Sequence, residues 1–73
     1  MEGTVKVPPI SMAAARVNAG LNQQEAAQKL GISKATLANY EAGRSVPDWE
    51  MVHKIGDVYQ YPHEYIFFGR KYV

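Results

Sequence analysis

The stretch NQQEAAQKLGISKATLANYEAGRSVPD, residues 22–48, decides the fold, because its apolar residues recur at helical spacing on either side of a short turn. Asn22 and Glu25 stand at the spacing of a capping box, a pattern that starts a helix. Gly31 fits the left-handed residue that ends this helix, and Ser33 fits the N-cap of the next one. The stretch therefore predicts two short helices joined by a tight turn.

The second of these helices has an inward side and an outward side of different chemistry. Leu37 and Tyr40 share one side and predict the inward face, and Gly43 ends the helix. The outward side carries Lys34, Ala35, Ala38, Asn39 and Ala42. Since most of these side chains are small, the outward side permits close approach of another molecule.

Further helical segments are predicted on both sides of this pair. A first helix is expected over about residues 11–19, a fourth after the N-cap Asp48, and a short fifth over residues 62–67. The fourth helix has an apolar stripe that should close the core, made of Trp49, Val52, Ile55, Gly56 and Tyr59.

The predicted fold class is all-α, a compact domain of five short helices over residues 10–69. Residues 1–9 predict an extended or flexible N-terminal arm, because Pro8 and Pro9 exclude a helix there. Residues 70–73 are a predicted C-terminal tail. A chain of 73 residues without cysteine has to hold this single domain together by packing alone.

Composition and motifs narrow the function classes. A net charge of +1 gives no bulk preference for nucleic acid, so phosphate binding has to come from local placement. The chain shows no signal peptide or membrane-spanning stretch, which favours a cytoplasmic protein with no membrane partner. His53 and His63 have no third ligand at metal-like spacing, and no catalytic motif is recognisable. We therefore expect no metal, no cofactor, no small-molecule substrate and no enzymatic activity.

The outward side of the second helix fits the major groove of DNA. Two helices joined by a tight turn offer the second helix to that groove. Lys34 has donors for guanine, Asn39 can pair with the edge of adenine, and the alanine methyls can contact thymine methyls. Phosphate contacts are expected from groups near the helix N-termini and from a cation after the second helix, namely Asn22, Gln23, Ser33 and Arg44.

Residues from about 10 to 69 resemble the helix-turn-helix domain of the phage repressor and Cro type, also called the lambda-repressor-like or XRE-like family. The resemblance is carried by ARVNAGLNQQEAAQKLGISKATLANYEAGRSVPD and by the trailing YPHEYIFFG. Its most specific part is the combined spacing of Gln23, Ala27, Gly31, Ile32, Leu37, Tyr40, Glu41, Gly43 and Pro47.

The resemblance implies which residues contact DNA. Lys34, Ala35 and Asn39 would occupy base-reading positions. Thr36 and Arg44 would lie near the DNA backbone. Recognition would thus be concentrated in the second helix of the motif and the loop after it.

The resemblance also implies two supporting interactions behind this surface. Gln23 would clamp a phosphate and brace Lys34. Arg16 would pair with Glu41 and tie the first helix to the third. The ion pair would be structural rather than functional.

The leading hypothesis is therefore a sequence-specific DNA-binding transcriptional regulator, similar to small Cro-like repressors of temperate phages in a bacterial host. It would occupy double-stranded operator DNA as a homodimer. Two recognition helices in successive major grooves, roughly 34 Å apart, predict a near-palindromic site. Dimerisation is expected through the C-terminal aromatic segment, which includes Phe67 and Phe68.

A second hypothesis is an anti-repressor or modulator that binds a partner repressor protein. It is favoured by the low net charge, the few polar residues on the outward side and candidate apolar contact surfaces. These candidates are Ala13, Ala14, Val17, Met51 and Val58, besides the two phenylalanines. An antitoxin that binds its toxin is a third alternative.

Overall fold

The computed structural model describes residues 8–69, which form four α-helices and a small two-stranded sheet. A 3-10 turn at His63–Tyr65 precedes the second strand. The strands are β1 (Ile10–Ser11) and β2 (Ile66–Phe67), and the helices are α1 (Met12–Asn18), α2 (Gln23–Leu30), α3 (Lys34–Ala42) and α4 (Trp49–Tyr59).

Local capping sets the boundaries of α2 and α3. The side chain of Asn22 accepts from the Glu25 N–H at 2.8 Å, and Glu25 accepts from the Asn22 N–H at 2.9 Å, which completes the capping box. Gly31 and Gly43 end the two helices at φ 74° and 79°, backbone angles that strain other residue types. Ser33 then caps α3 by accepting from the Thr36 N–H at 3.0 Å. The predicted pair of short helices with a tight turn is confirmed.

The core lies where the four helices meet β2. Ala26 and Ala27 are buried on α2, and their small side chains allow α3 and α4 to pack closely against that helix. The largest fully buried side chains are Leu30, Leu37, Ile55 and Tyr59. Because Leu37 of α3 is buried in this core, the opposite side of α3 faces solvent.

The predicted fifth helix is wrong. Residues 62–67 form one 3-10 turn followed by β2, which pairs in parallel with β1 so that Ile10 lies beside Ile66. Ile66 is 5 % exposed and adds to the core, and pairing with β1 requires an extended backbone there. A long-range strand partner therefore overrides the local helical pattern.

The expected core position of Trp49 is also wrong, because its side chain is 68 % exposed. Trp49 is the first residue of α4, and its ring contacts His53 and His63 instead of the core. Val52, Ile55, Gly56 and Tyr59, the rest of the predicted stripe, are buried.

The predicted tail at 70–73 lies outside the described residues, and so do positions 1–7 of the predicted arm. The described end of the arm contacts the domain, because the Tyr61 hydroxyl donates to the Pro8 carbonyl. Among residues 8–69, no helix has both the length and the apolar character to cross a membrane.

Candidate nucleic-acid interface

The reading face of α3 comprises Lys34, Ala35, Ala38, Asn39 and Ala42. All of these residues are exposed except Ala38, which is half-buried. Leu37, on the opposite side of the helix, is fully buried. The predicted base-reading residues therefore lie together on one accessible helix surface, with methyl groups between two polar side chains.

A carboxylate beneath this face joins three helices. Glu41 of α3 accepts from Arg16 Nε of α1 at 2.7 Å and from Arg16 Nη2 at 3.3 Å. The Arg16 Nη1 group donates to the Leu21 carbonyl at 3.0 Å, so the guanidinium also holds the loop between α1 and α2. The two side chains are 14 % and 8 % exposed, which makes this a largely desolvated ion pair.

Gln23 completes the network around Glu41. Its Nε2 donates to Glu41 Oε1 at 2.9 Å and so links the first residue of α2 to α3. The resemblance implied that Gln23 braces Lys34. Within residues 8–69, the Gln23 amide donates to Glu41 instead. The carboxylate attracts the amide donor because a charge-assisted hydrogen bond is stronger than a neutral one.

Arg44 lies directly beyond α3 and bonds to the reading face. Its Nη1 donates to Asn39 Oδ1 at 3.2 Å, and its backbone N–H donates to the Asn39 carbonyl at 3.0 Å. The sequence placed these two residues in separate roles, one near the DNA backbone and one on a base. No sequence signal beyond their spacing of five indicates that they are coupled.

Some of the free backbone N–H groups at the N-termini of α2 and α3 already donate to the side chains of the N-cap residues. The Ser33 hydroxyl accepts from the Thr36 N–H and donates to Thr36 Oγ1 at 2.9 Å. Asn22 uses its side-chain oxygen in the capping box, which also places the Glu25 carboxylate at that helix end. The predicted phosphate contacts at α2 would therefore have to come from the remaining amide donors of that helix end.

Charge at this surface is positive because the acidic residue of α3 is neutralised. Within residues 34–44, Glu41 is the one carboxylate, and Arg16 pairs with it. Lys34 and Arg44 are exposed at the two ends of the reading face. The Arg16–Glu41 ion pair leaves the charges of Lys34 and Arg44 on this surface unopposed within residues 34–44. This local arrangement, and not the net charge of the whole chain, favours phosphate there.

Tyr59 lies close to the same ion pair from the α4 side. Burial raises the pKa of its phenol to about 12, and the negative charge of Glu41 adds to this effect while Arg16 opposes it. No hydrogen-bond partner for the buried Tyr59 hydroxyl lies among residues 8–69. The phenol therefore stays protonated in the folded protein far above neutral pH.

The predicted protein-contact residues fall into two groups. Ala14, Val17 and Phe67 are exposed, with Val17 at 63 %. Four others are half-buried, namely Ala13, Met51, Val58 and Phe68. The last three of these pack against the core. Tyr65 of the predicted C-terminal aromatic segment is also exposed, and the sequence missed Val46 and Trp49, which are large apolar side chains in exposed positions.

The two histidines, ten positions apart in the chain, meet in the fold. The ring centroids of His53 and His63 are 4.3 Å apart, and Trp49 lies edge-on at 4.4 Å from His53. Within the described part of the chain, no three His, Cys, Asp or Glu side chains are grouped to hold a metal ion.

An open groove of about 510 Å³ lies away from α3, between the ends of α1, α2 and α4. Its lining includes Asn18, Leu21, Lys29 and Gln60, and none of its lining residues belongs to α3. Lys29 is therefore a cation on a surface to which α3 does not contribute.

The fold and this surface define a helix-turn-helix domain, and comparison with known proteins agrees. The helix-turn-helix family model matches residues 12–66, and the chain belongs to this family, in its phage repressor and Cro, or XRE-like, branch. The resemblance seen in the sequence is thus confirmed.

A curated relative comes from Bacillus subtilis (strain 168), the HTH-type transcriptional regulator ImmR. The two are 38 % identical over 52 residues, which is 71 % of this chain and 41 % of the relative. The chain therefore spans about two fifths of that relative's length. No solved structure matches the chain with statistical significance.

Proposed function

We propose that this protein is a sequence-specific DNA-binding transcriptional regulator that acts on operator DNA in the manner of a Cro-like repressor. One observation carries the proposal: α3 presents Lys34 and Asn39 on an exposed face whose nearby carboxylate, Glu41, is neutralised from behind. Lys34 and Asn39 can read base edges, and Ala35 can contact a thymine methyl.

The family and the relative support this proposal. Helix-turn-helix domains place their second helix in the major groove, and the name of the Bacillus relative describes a transcriptional regulator. A regulator of this kind works by binding rather than by catalysis and acts in the bacterial cytoplasm, where the operator is. Phosphates would be bound by Asn22, Gln23, Ser33, Thr36 and Arg44 around the reading face.

On DNA, we propose a homodimer. Two-fold symmetry places two recognition helices in successive major grooves, so the site has two inverted half-sites whose centres are roughly 34 Å apart. Phe67 of β2 and Tyr65, which directly precedes β2, are exposed, and they make the C-terminal segment the dimer surface that we favour.

The experiment is enrichment of bound duplexes from a random DNA pool at near-physiological salt, with the Lys34→Ala variant in parallel. We expect the wild type to enrich inverted half-sites and Lys34→Ala to lose preference at one base pair in each half. Absence of any enriched sequence, with the protein shown to be folded by circular dichroism, would contradict the proposal.

A partner-binding modulator is the second candidate, and the exposed side chains of Val46 and Trp49 favour it. They are 64 % and 68 % exposed and lie at the loop and first turn that follow the reading helix. A regulator bound there would cover or extend the DNA surface. Mixing with a candidate repressor and measuring complex mass tests this role, and a Trp49→Ala variant should then lose the complex.

A further inference from the structure

The hydrogen bond between Arg44 and Asn39 joins a residue placed near the DNA backbone to one placed on a base. Arg44 Nη1 donates to Asn39 Oδ1 at 3.2 Å, and both residues are exposed at the C-terminal end of the reading face. A cation that contacted phosphate alone would need no bond to a base-reading amide. The contact therefore couples the side chain of Arg44 to that of Asn39.

The backbone holds these two residues together before any ligand binds. Gly43 ends α3 in the left-handed conformation, and this turn brings the Arg44 N–H to the Asn39 carbonyl at 3.0 Å. Arg44 thus leaves the helix at a fixed place relative to Asn39. Its side chain needs only to fold back over one turn to reach the amide.

The guanidinium decides which way the Asn39 amide points. A guanidinium has donors only, whereas the amide has an oxygen acceptor on one side and a nitrogen donor on the other. The bond to Arg44 therefore turns Oδ1 toward Arg44 and leaves Nδ2 on the opposite side of the amide. Without Arg44, two amide orientations related by a half-turn would compete.

We propose that Arg44 is a positioning residue for sequence recognition, which holds the Asn39 amide in one orientation and so sets the base preference at the pair that Asn39 contacts. The inference rests on the proposed function. Oδ1 has two lone pairs, so it accepts from Arg44 and still accepts from the adenine amino group while Nδ2 donates to N7. The reversed amide would set donor against donor at adenine.

A double-mutant cycle tests this coupling. Enrichment with wild type and Asn39→Ala identifies the base pair whose preference depends on Asn39. Dissociation constants are then measured for two duplexes that differ only at that pair, with wild type, Asn39→Ala, Arg44→Ala and the double variant. The ratio of the two constants is the discrimination, and any loss of charge affects both duplexes alike.

We expect Arg44→Ala to lower the discrimination by about three- to tenfold, the effect of one oriented hydrogen bond, and to lower it no further when Asn39 is already alanine. Lys29→Ala removes a positive charge from a groove that α3 does not line, and it should leave the discrimination unchanged. This pattern supports the inference.

Two other results would overturn it in distinguishable ways. If Arg44→Ala weakens both duplexes by one common factor, Arg44 binds phosphate only, and the proposed function stands without this inference. If the folded wild type enriches no sequence at all, the proposed function fails and the inference fails with it.

Discussion

Glu41 accepts from Arg16 Nε at 2.7 Å, and through this ion pair the recognition helix is anchored to the first helix of the domain. The same carboxylate also accepts from Gln23 at 2.9 Å. Three helices thus converge on one largely buried charge. The position of α3 in the domain is therefore coupled to the stability of the fold.

Removing the charge of Glu41 should destabilise the domain. We expect Glu41→Gln to lower the free energy of unfolding by about 2–4 kcal/mol, because Arg16 is left with a neutral partner in a largely desolvated position. Urea denaturation measures this value. Asp57→Asn, which removes an exposed carboxylate from α4, is the matched control and should change stability by less than about 0.5 kcal/mol. Equal effects of the two variants would show that the ion pair does not stabilise the fold.

The Gln23→Glu variant tests the hydrogen bond between Gln23 and Glu41. The variant sets one carboxylate against another where the amide of Gln23 now donates to Glu41. We expect a loss of about 1–3 kcal/mol in unfolding free energy at pH 7. The difference from wild type should shrink in acid, where one carboxyl is protonated and can donate to the other.

The control for that experiment is the neighbouring Gln24→Glu, which adds the same charge at an exposed position of α2. It should leave stability nearly unchanged, since a negative charge near a helix N-terminus is favourable. A Gln24→Glu variant as unstable as Gln23→Glu would refute the contact with Glu41 as the cause.

The raised pKa of the buried Tyr59 phenol predicts that the free energy of unfolding falls at high pH. The folded protein holds the phenol proton up to a pKa of about 12, whereas the unfolded chain releases it at the ordinary tyrosine pKa of 10.0. Between these values the unfolded state binds fewer protons, so the free energy of unfolding falls as pH rises, by up to about 3 kcal/mol in total. Below pH 10 this contribution is fully present.

Tyr59→Phe isolates that effect. The variant should lack this part of the fall between pH 10 and 12, and at pH 7 it should lie within about 1 kcal/mol of wild type, because the hydroxyl has no hydrogen-bond partner among residues 8–69. Tyr65→Phe removes a phenol that is half exposed and should keep the wild-type slope. Urea titrations from pH 8 to pH 12 compare all three proteins.

Lys34 and Lys29 should differ in what they contribute to DNA binding. Lys34→Ala should cost about 1–3 kcal/mol of discrimination at one base pair, because the side chain lies on the reading face. Lys29→Ala should leave discrimination unchanged, since its side chain lines a groove away from α3. Competition binding with the enriched site and single-base variants measures both, and matching profiles for the two variants would exclude Lys34 as a base contact.

Much of the motif could be predicted from local sequence. Asn22, Gly31, Ser33 and Gly43 act on their immediate neighbours through caps and left-handed turns, so their spacing alone predicted where α2 and α3 begin and end. Leu37 was predicted to face inward on the same grounds, and it is fully buried. The positions of the reading-face residues on one side of α3 follow from helical periodicity.

Contacts between distant residues could not be derived in this way. Residues 62–67 carry a helical pattern, but Ile66 finds a strand partner in Ile10 and becomes extended. Trp49 has the spacing of a core residue, yet its ring is exposed and lies edge-on to two histidines that are ten positions apart in the chain. Each outcome depends on residues that are far apart in the chain.

By itself, the sequence determined the pair of helices, the tight turn between them, the outward face and the family, because each of these depends on periodicity and capping over a few residues. The tertiary structure decided how the polar groups around that face are shared: Gln23 bonds to Glu41, and Arg44 bonds to Asn39. Hydrogen-bond partners are chosen by distance and by competition among all nearby charges, and those are defined only when the helices have packed.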